Sequence, residues 1–571
     1  MIRALAHRRP RTALVTALAV LGATSLAACT AGPGPRDDRP RTAAAADPAN
    51  RPELRRFYGQ KLDWRPCGAF RCASLTVPMD YARPGDGRTF VLPVAKAATA
   101  SPDRRIGSLL YNPGGPGERG VRALKDGLAD ELGRGVRERF DVVAFDPRGV
   151  GESRPALTCR TRDTTDAPDS ADSADSATPT AAGAPLHPRT AEDRAAVLAD
   201  ARATAEACQE ASGPLLRHVG TDDAARDLDV LRAALGERRL TYVGWSYGTS
   251  LGTSYAEQFP HRVRAMVLDG AVDPALDWRQ RALNQAKGFR DAVADYARSC
   301  ADTVGERCPG ATPEEIRALI DRLLERAQRE PLPVDGSGDG LDAAGVVSAL
   351  SLSMYTPEAQ WEELSEALRA ADAGDGTRLA ALGTEDGEDT EDPEGPEGDD
   401  GTPEDAQDAQ DAQDTGDSQD SGDEDSGEGD GVPEDNSEAA LIAVNCLDVP
   451  HPRDERAYWD ALDPAERAAG VYGTTGVTGE LVCKDWPAGP GRPHRVAAPG
   501  VPPVLVVGTA GDPATPYGEA VSLARQFPGG MLLSFEGAGH TGYGRNACVD
   551  RKVEAYLVDL APVRPGTRCA A

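Results

Sequence analysis

The stretch Leu240-Thr-Tyr-Val-Gly-Trp-Ser-Tyr-Gly-Thr-Ser250 leaves a chain few ways to fold. A run rich in β-formers, Leu240 to Trp245, stops at Ser246. Small residues follow at Gly248, Thr249, Ser250 and Gly252, and a helical pattern then continues to Phe259. Gly244-Trp-Ser-Tyr-Gly248 fits G-x-S-x-G, a strand-to-helix reversal so tight that its serine sits in strained backbone with the hydroxyl pushed outward. Glycines are needed two before and two after the serine because side chains there would strike the neighbouring strand and helix. The new helix begins just past Ser246, so its free N–H groups face any negative charge that develops there. Taken alone, the stretch also reads as an ordinary turn rich in Gly and Ser.

At 571 residues the chain is long enough for a large core and more than one ordinary domain. Its formal net charge of −30 is unevenly spread: residues 384–438 hold 25 acidic side chains and no Lys or Arg. The remainder is only mildly acidic, so the total charge does not imply a basic partner. Basic residues are scattered, and nothing marks a nucleic-acid site.

The N-terminus reads as an export signal over 1–28. Arg3, His7, Arg8, Arg9 and Arg11 precede an apolar run, Ala13 to Ala28, that is short for a membrane span. It ends Leu26-Ala-Ala-Cys29, which looks like a bacterial lipobox, so Cys29 is the expected site of lipid attachment. A plain secretory signal that discards Cys29 is the other reading. Membrane association is expected only through that anchor. Residues 29–56 read as a flexible tether. Setting Cys29 aside leaves ten cysteines, an even number in an exported chain, which points to disulfides. Sequence does not fix their connectivity. Pairing of neighbours (67–72, 159–208, 300–308, 446–483, 548–569) is the hypothesis adopted.

Strand and helix patterns alternate from residue 57 to 270. Cys72–Tyr81 and Thr89–Lys96 read as a hairpin, followed by strands Gly107–Tyr111, Phe140–Phe145, Leu240–Trp245 and Val263–Leu268. Asn112-Pro-Gly-Gly-Pro-Gly117 leaves the first strand after the hairpin as a rigid loop with exposed N–H groups, which suits an oxyanion hole. Arg148 is expected to brace the loop after Phe145. Residues 161–188 read as a surface insertion. Thr190–Ser212 and Thr221–Leu235 read as helices, with Thr221 as a capping residue. The alternation breaks over 271–499, which is mostly helical in pattern and holds the acidic tract 384–438, too polar to order itself. We expect a helical lid there. Strands return at Pro503–Gly508 and Met531–Phe535, and a helix spans Ala547–Leu560.

Three chemical groups stand just past strand ends: Ser246, Asp512 and His540. Asp512 alone could be a turn former before Pro513, and His540 alone a surface histidine. Together they follow the order Ser…Asp…His, as α/β-hydrolase sheets require. The expected roles are nucleophile, orienting acid and general base, with the N–H groups of Tyr247 and Gly115 holding an oxyanion. No metal or cofactor is expected, because the histidines form no H-x-x-x-H or Cys-His set.

Asn112-Pro-Gly-Gly-Pro-Gly117, Phe145-Asp-Pro-Arg-Gly149, the elbow, Val267-Leu-Asp-Gly270, Gly511-Asp512 and Gly539-His540 together resemble the secreted tripeptidyl aminopeptidases of actinobacteria. These are prolyl-aminopeptidase-type serine peptidases of the α/β-hydrolase fold. The likeness covers most of residues 57–571, and the tracts 161–188 and 384–438 depart from it. It implies an α/β fold with an inserted helical lid and peptide substrates with a free N-terminus. Such an enzyme needs an acid for the substrate ammonium. The candidates are Asp448 and, beside Trp361, Glu362 or Glu363. A carboxylesterase on the same triad and an inactive hydrolase-fold binding lipoprotein are the alternatives.

Overall fold

The computed structural model describes residues 48–159, 185–303, 307–336, 338, 340–383, 436–487, 489 and 491–571. The expected signal 1–28, Cys29, most of the tether, nearly all of the 161–188 insertion and the acidic tract up to 435 lie outside the described residues. Residues 1–51 form a unit of their own, in which Pro48–Asn50 makes one 3-10 turn. Residues 52–571 form the other unit, which carries the sheet and the candidate catalytic residues.

Ten strands form one sheet: β1 (Arg65–Cys67), β2 (Phe70–Pro78), β3 (Thr89–Ala97), β4 (Gly107–Asn112), β5 (Phe140–Phe145), β6 (Leu240–Trp245), β7 (Val263–Asp269), β8 (Leu505–Gly511), β9 (Met531–Ala538) and β10 (Thr567–Cys569). Their order is β1-β2-β3-β5-β4-β6-β7-β8-β9-β10. The first three pair antiparallel, β3 joins β5 antiparallel, and every pairing from β5 to β10 is parallel. Parallel strands covered on both faces must be apolar on both. Leu110, Val143, Tyr242, Met266 and Val506 pack in one core, and Leu109, Val142, Val243, Val267 and Val507 in the other. Two edge strands, β1 and β10, went unread in the sequence. Each is three residues long, too short to show a period.

Between β5 and β7 lie α1 (Ala191–Ser212), α2 (Thr221–Ala234) and α3 (Tyr247–Gln258), which starts at the elbow. Between β7 and β8 lie the helices of the expected lid: α4 (Trp278–Thr303), α5 (Pro313–Arg329), α6 (Ala343–Leu352), α7 (Pro357–Ala373), α8 (Ser437–Asp448), α9 (Arg456–Ala469) and α10 (Val471–Gly479). Helices α4 to α7 share a core around Tyr296, Ile316, Leu323, Val346, Leu364 and Leu368, whereas Ala440, Ala443, Cys446 and Leu447 of α8 pack into the sheet core. Pro450 and Pro452 interrupt the helical span between α8 and α9. After β8 come α11 (Tyr517–Gln526) and, beyond β9, α12 (Ala547–Asp559).

All five disulfides join sequence neighbours: Cys67–Cys72, Cys159–Cys208, Cys300–Cys308, Cys446–Cys483 and Cys548–Cys569. Arg148 braces as expected. It is 1% exposed, pairs with Asp227, and donates to the carbonyls of Pro78, Met79 and His218. Among the described residues no helix is long and apolar enough to cross a membrane.

Candidate active site

Ser246 closes β6 with φ 52°, the left-handed conformation that the elbow demands. Its N–H donates to the carbonyl of Asp269 at 2.9 Å, which ties the turn to β7. The flanking glycines are required by contact. A Cβ on Gly244 would stand 2.3 Å from the Gly248 carbonyl oxygen, and one on Gly248 would stand 2.7 Å from that of Asn112. The loop after β4 lies against Ser246, since a Cβ on Gly114 would be 2.9 Å from the Cβ of Ser246 and 3.5 Å from the Tyr247 nitrogen. Tyr247 is the first residue of α3, so its N–H has no acceptor within that helix. Gly115 follows Gly114 in the same loop, and a Cβ there would collide with the nitrogens of Gly117 and Glu118 at 2.6 and 2.8 Å.

Asp512 lies in the loop after β8 and His540 in the loop after β9. The His540 Nδ1 is 2.9 Å from each Asp512 oxygen. The carboxylate is buried and accepts three more backbone N–H groups, from Ala514, Thr515 and Thr541, together with the Thr515 hydroxyl at 3.1 Å. So many donors fix the acid rigidly and hold the imidazole with Nδ1 toward it. The His540 Nε2 is buried without a hydrogen-bond partner. The chain of contacts expected from sequence is thus complete from acid to imidazole, while the Ser246 hydroxyl is not bonded to Nε2. Catalytic hydrogen bonds are often long before substrate binds and tighten with it. The imidazole is next to β7: a Cβ on Gly270 would be 2.9 Å from its Cε1.

Asp448, at the end of α8, receives the Thr221 N–H at 3.0 Å and the Thr221 hydroxyl at 2.5 Å. The Thr221 hydroxyl also meets the Tyr247 hydroxyl at 2.6 Å. The start of α2 is therefore capped from the lid, by Asp448, and not by Thr221 as the local sequence implied. Burial pushes the Asp448 carboxyl up to about 6. It lines a cavity of about 790 Å³ with Tyr247, Ser250, Asp273 and Arg281, whose walls include none of Ser246, Asp512 and His540. Glu362 and Glu363 are placed differently. Helix α7 buries Leu364, Ala367, Leu368 and Ala371, which turns both acids to solvent, and Glu362 pairs with Arg307. Neither is among the residues lining that cavity.

Sequence reasoning missed two neighbours of the histidine. Thr515 holds the acid through both its N–H and its hydroxyl. Asp269, the last residue of β7, accepts the N–H groups of Gly542 and Tyr543 at 3.0 and 2.7 Å and so anchors the histidine loop. Burial pushes its carboxyl up to about 6. Its place at a strand end was the available signal. The Gly-rich loop also touches the lid, since a Cβ on Gly117 would stand 2.3 Å from the carbonyl of Ser437, the first residue of α8. Among the described residues one cluster has metal-ligand proximity, His451, Glu480 and Cys483, but the sulfur of Cys483 is committed to its disulfide.

A parallel sheet that carries a serine elbow, an acid and a histidine at strand ends defines an α/β-hydrolase. Residues 107–331 match the family described as "alpha/beta hydrolase fold" and residues 469–569 that described as "TAP-like protein". The serine protease Hip1 of Mycobacterium tuberculosis is 35% identical over 536 residues, 90% of this chain and 91% of that protein. Carboxylesterase B of the same species is 34% identical over 519 residues, 88% and 86% of the two chains. The tripeptidyl aminopeptidase of Streptomyces lividans is 32% identical over 578 residues, 96% and 95%. The chain belongs to this TAP-like family of α/β-hydrolase serine hydrolases.

Proposed function

We propose that this chain is a serine exopeptidase that cleaves peptides near a free N-terminus through an acyl-enzyme on Ser246. The observation that carries the reading is the Asp512–His540 pair, with Nε2 buried and unpartnered, on a sheet whose β6 ends in an elbow serine. In this scheme His540 accepts the hydroxyl proton as Ser246 Oγ attacks the scissile carbonyl, then passes it to the leaving amine. Water repeats the cycle on the ester and frees the acid. Asp512 stabilises the imidazolium. The N–H groups of Tyr247 and the Gly114–Gly115 loop receive the oxyanion. The relatives named for peptidase activity support a peptide substrate, and the lid supplies walls that limit access to chain ends. Asp448 is the acid we assign to the substrate ammonium, because the Thr221 hydroxyl links it to the Tyr247 side chain, next to Ser246 in sequence, and its carboxylate has no ion-pair partner among the described residues.

Carboxylesterase B, at similar identity, supports an esterase as the second reading. Assay of tripeptidyl, prolyl and N-acetylated tripeptidyl chromogenic amides beside a short ester separates the two. Turnover of the free-amine tripeptidyl amide is expected. Turnover of the ester alone overturns the peptidase reading, and equal cleavage of the acetylated amide overturns the requirement for a free N-terminus. We further propose export and lipid attachment at Cys29, which rest on the N-terminal sequence. Mass spectrometry of the mature N-terminus checks this, and a chain beginning elsewhere overturns it.

A further inference from the structure

We infer that Tyr355, a lid residue, is a positioning residue for His540, so that seating the lid and aligning the general base are one event. The inference rests on the catalytic roles proposed for Ser246, Asp512 and His540. Tyr355 lies between α6 and α7 and is held there by its own N–H, which donates to Leu352 at 3.0 Å. Its carbonyl accepts the His540 backbone N–H at 2.8 Å. Its ring meets the imidazole edge to face, with centroids 5.1 Å apart and planes at 75°. Behind it the Phe289 ring of α4 lies at 6.1 Å, and Phe289 stacks on Tyr472 of α10 at 5.7 Å. Four rings thus run from the lid interior to the histidine.

The approach is close enough to demand glycine beside the histidine. A Cβ on Gly539 would stand 2.5 Å from Pro357 Cδ and 2.7 Å from the Tyr355 carbonyl oxygen. The other ties of the loop come from the core: Asp512 to Thr541, Asp269 to Gly542 and Tyr543, and the Arg545 guanidinium to the carbonyls of Ala538, His540 and Thr541. The His540 N–H is held from the Tyr355 segment instead. Asp512 pins Nδ1, yet an imidazole held at one nitrogen still rocks about its χ2 torsion, and that rocking moves Nε2. The Tyr355 ring blocks the motion, and edge-to-face aromatic contacts favour one orientation. A nitrogen displaced by an ångström costs about 100-fold in rate.

The test uses the full chain with Tyr355→Ala, Tyr355→Phe and Tyr355→Leu. Each is assayed on a tripeptidyl chromogenic amide and a short ester, and by the rate of fluorophosphonate labelling at Ser246. Tyr355→Ala is expected to lower kcat about 10- to 100-fold on both substrates with KM within about 3-fold, and to slow labelling in step. Tyr355→Phe keeps ring and carbonyl and is expected to retain most of the activity that Tyr355→Ala loses. Gly539→Ala pushes the loop against Pro357 and the Tyr355 carbonyl but also against Arg545 and its own φ of +88°, so Tyr355→Leu, which keeps the bulk and loses the aromatic face, carries the test should Tyr355→Ala fail to fold, with the same expected loss. Unchanged kcat and labelling in a folded Tyr355→Ala or Tyr355→Leu overturns the inference, as does a rise in KM alone, which would make Tyr355 a substrate contact. Ser246→Ala and His540→Ala separate the two layers. Activity retained in either overturns the catalytic reading and this inference together, whereas inactive controls beside a normal Tyr355→Ala overturn only the inference.

Discussion

Gly114 lies so close to Ser246 that a methyl group on it would stand 2.9 Å from the serine Cβ. The loop after β4 and the elbow after β6 therefore fit only while position 114 is bare, and its φ of +123° asks for glycine independently. Gly114→Ala is expected to lower kcat about 100- to 1,000-fold, the effect of losing an oxyanion donor, and to lower the melting temperature as well, because the methyl group and the positive φ both strain the loop. Wild-type kcat in that variant would remove the loop from the reaction.

Asp512→Asn tests the acid. An amide placed there turns its NH₂ group toward donors from Thr515 and Thr541 or toward Nδ1, and disfavours the imidazole tautomer that leaves Nε2 bare. A fall in kcat of about 10,000-fold is expected, measured at saturating substrate. A loss under about 10-fold would make Asp512 a loop brace only.

Asp448→Asn keeps an oxygen for the Thr221 N–H but removes the charge. KM for peptides with a free amine is expected to rise, while a short ester is turned over as before. Equal loss on both would reassign Asp448 to capping α2 and holding Tyr247.

Glu519 offers a pH test of lid packing. On α11 it accepts the Asp273 N–H at 3.1 Å and the Asn284 side chain of α4 at 3.2 Å, and burial pushes its carboxyl up to about 7. The native state therefore holds this proton where the unfolded chain has released it, so the group's contribution to stability falls as pH rises from about 4.5 through 7. Glu519→Gln is expected to melt with the wild type at pH 4 and above it at pH 8. Parallel melting curves at both values would contradict the assignment.

Much of the site was legible because its parts are local. The elbow glycines, the Gly-rich loop and the strand-end acid and histidine each depend on a few adjacent residues, and a short apolar run announces the strand that carries each one. The lid's broad extent was readable too, as helical spacing between two strand patterns. The exposure of Glu362 and Glu363 was not legible, because local sequence does not say which face of α7 the core covers.

The order Ser246…Asp512…His540 and the alternation of strands determined the sheet and the kind of chemistry at its edge, since periodicity and turn residues are written in neighbouring positions. Tertiary structure alone decided that Asp448 caps a helix 227 residues earlier, that Asp269 anchors the histidine loop, and that Tyr355 reaches His540 from the lid. Those contacts arise when separately folded surfaces meet, and their energy depends on distances that no window of sequence contains.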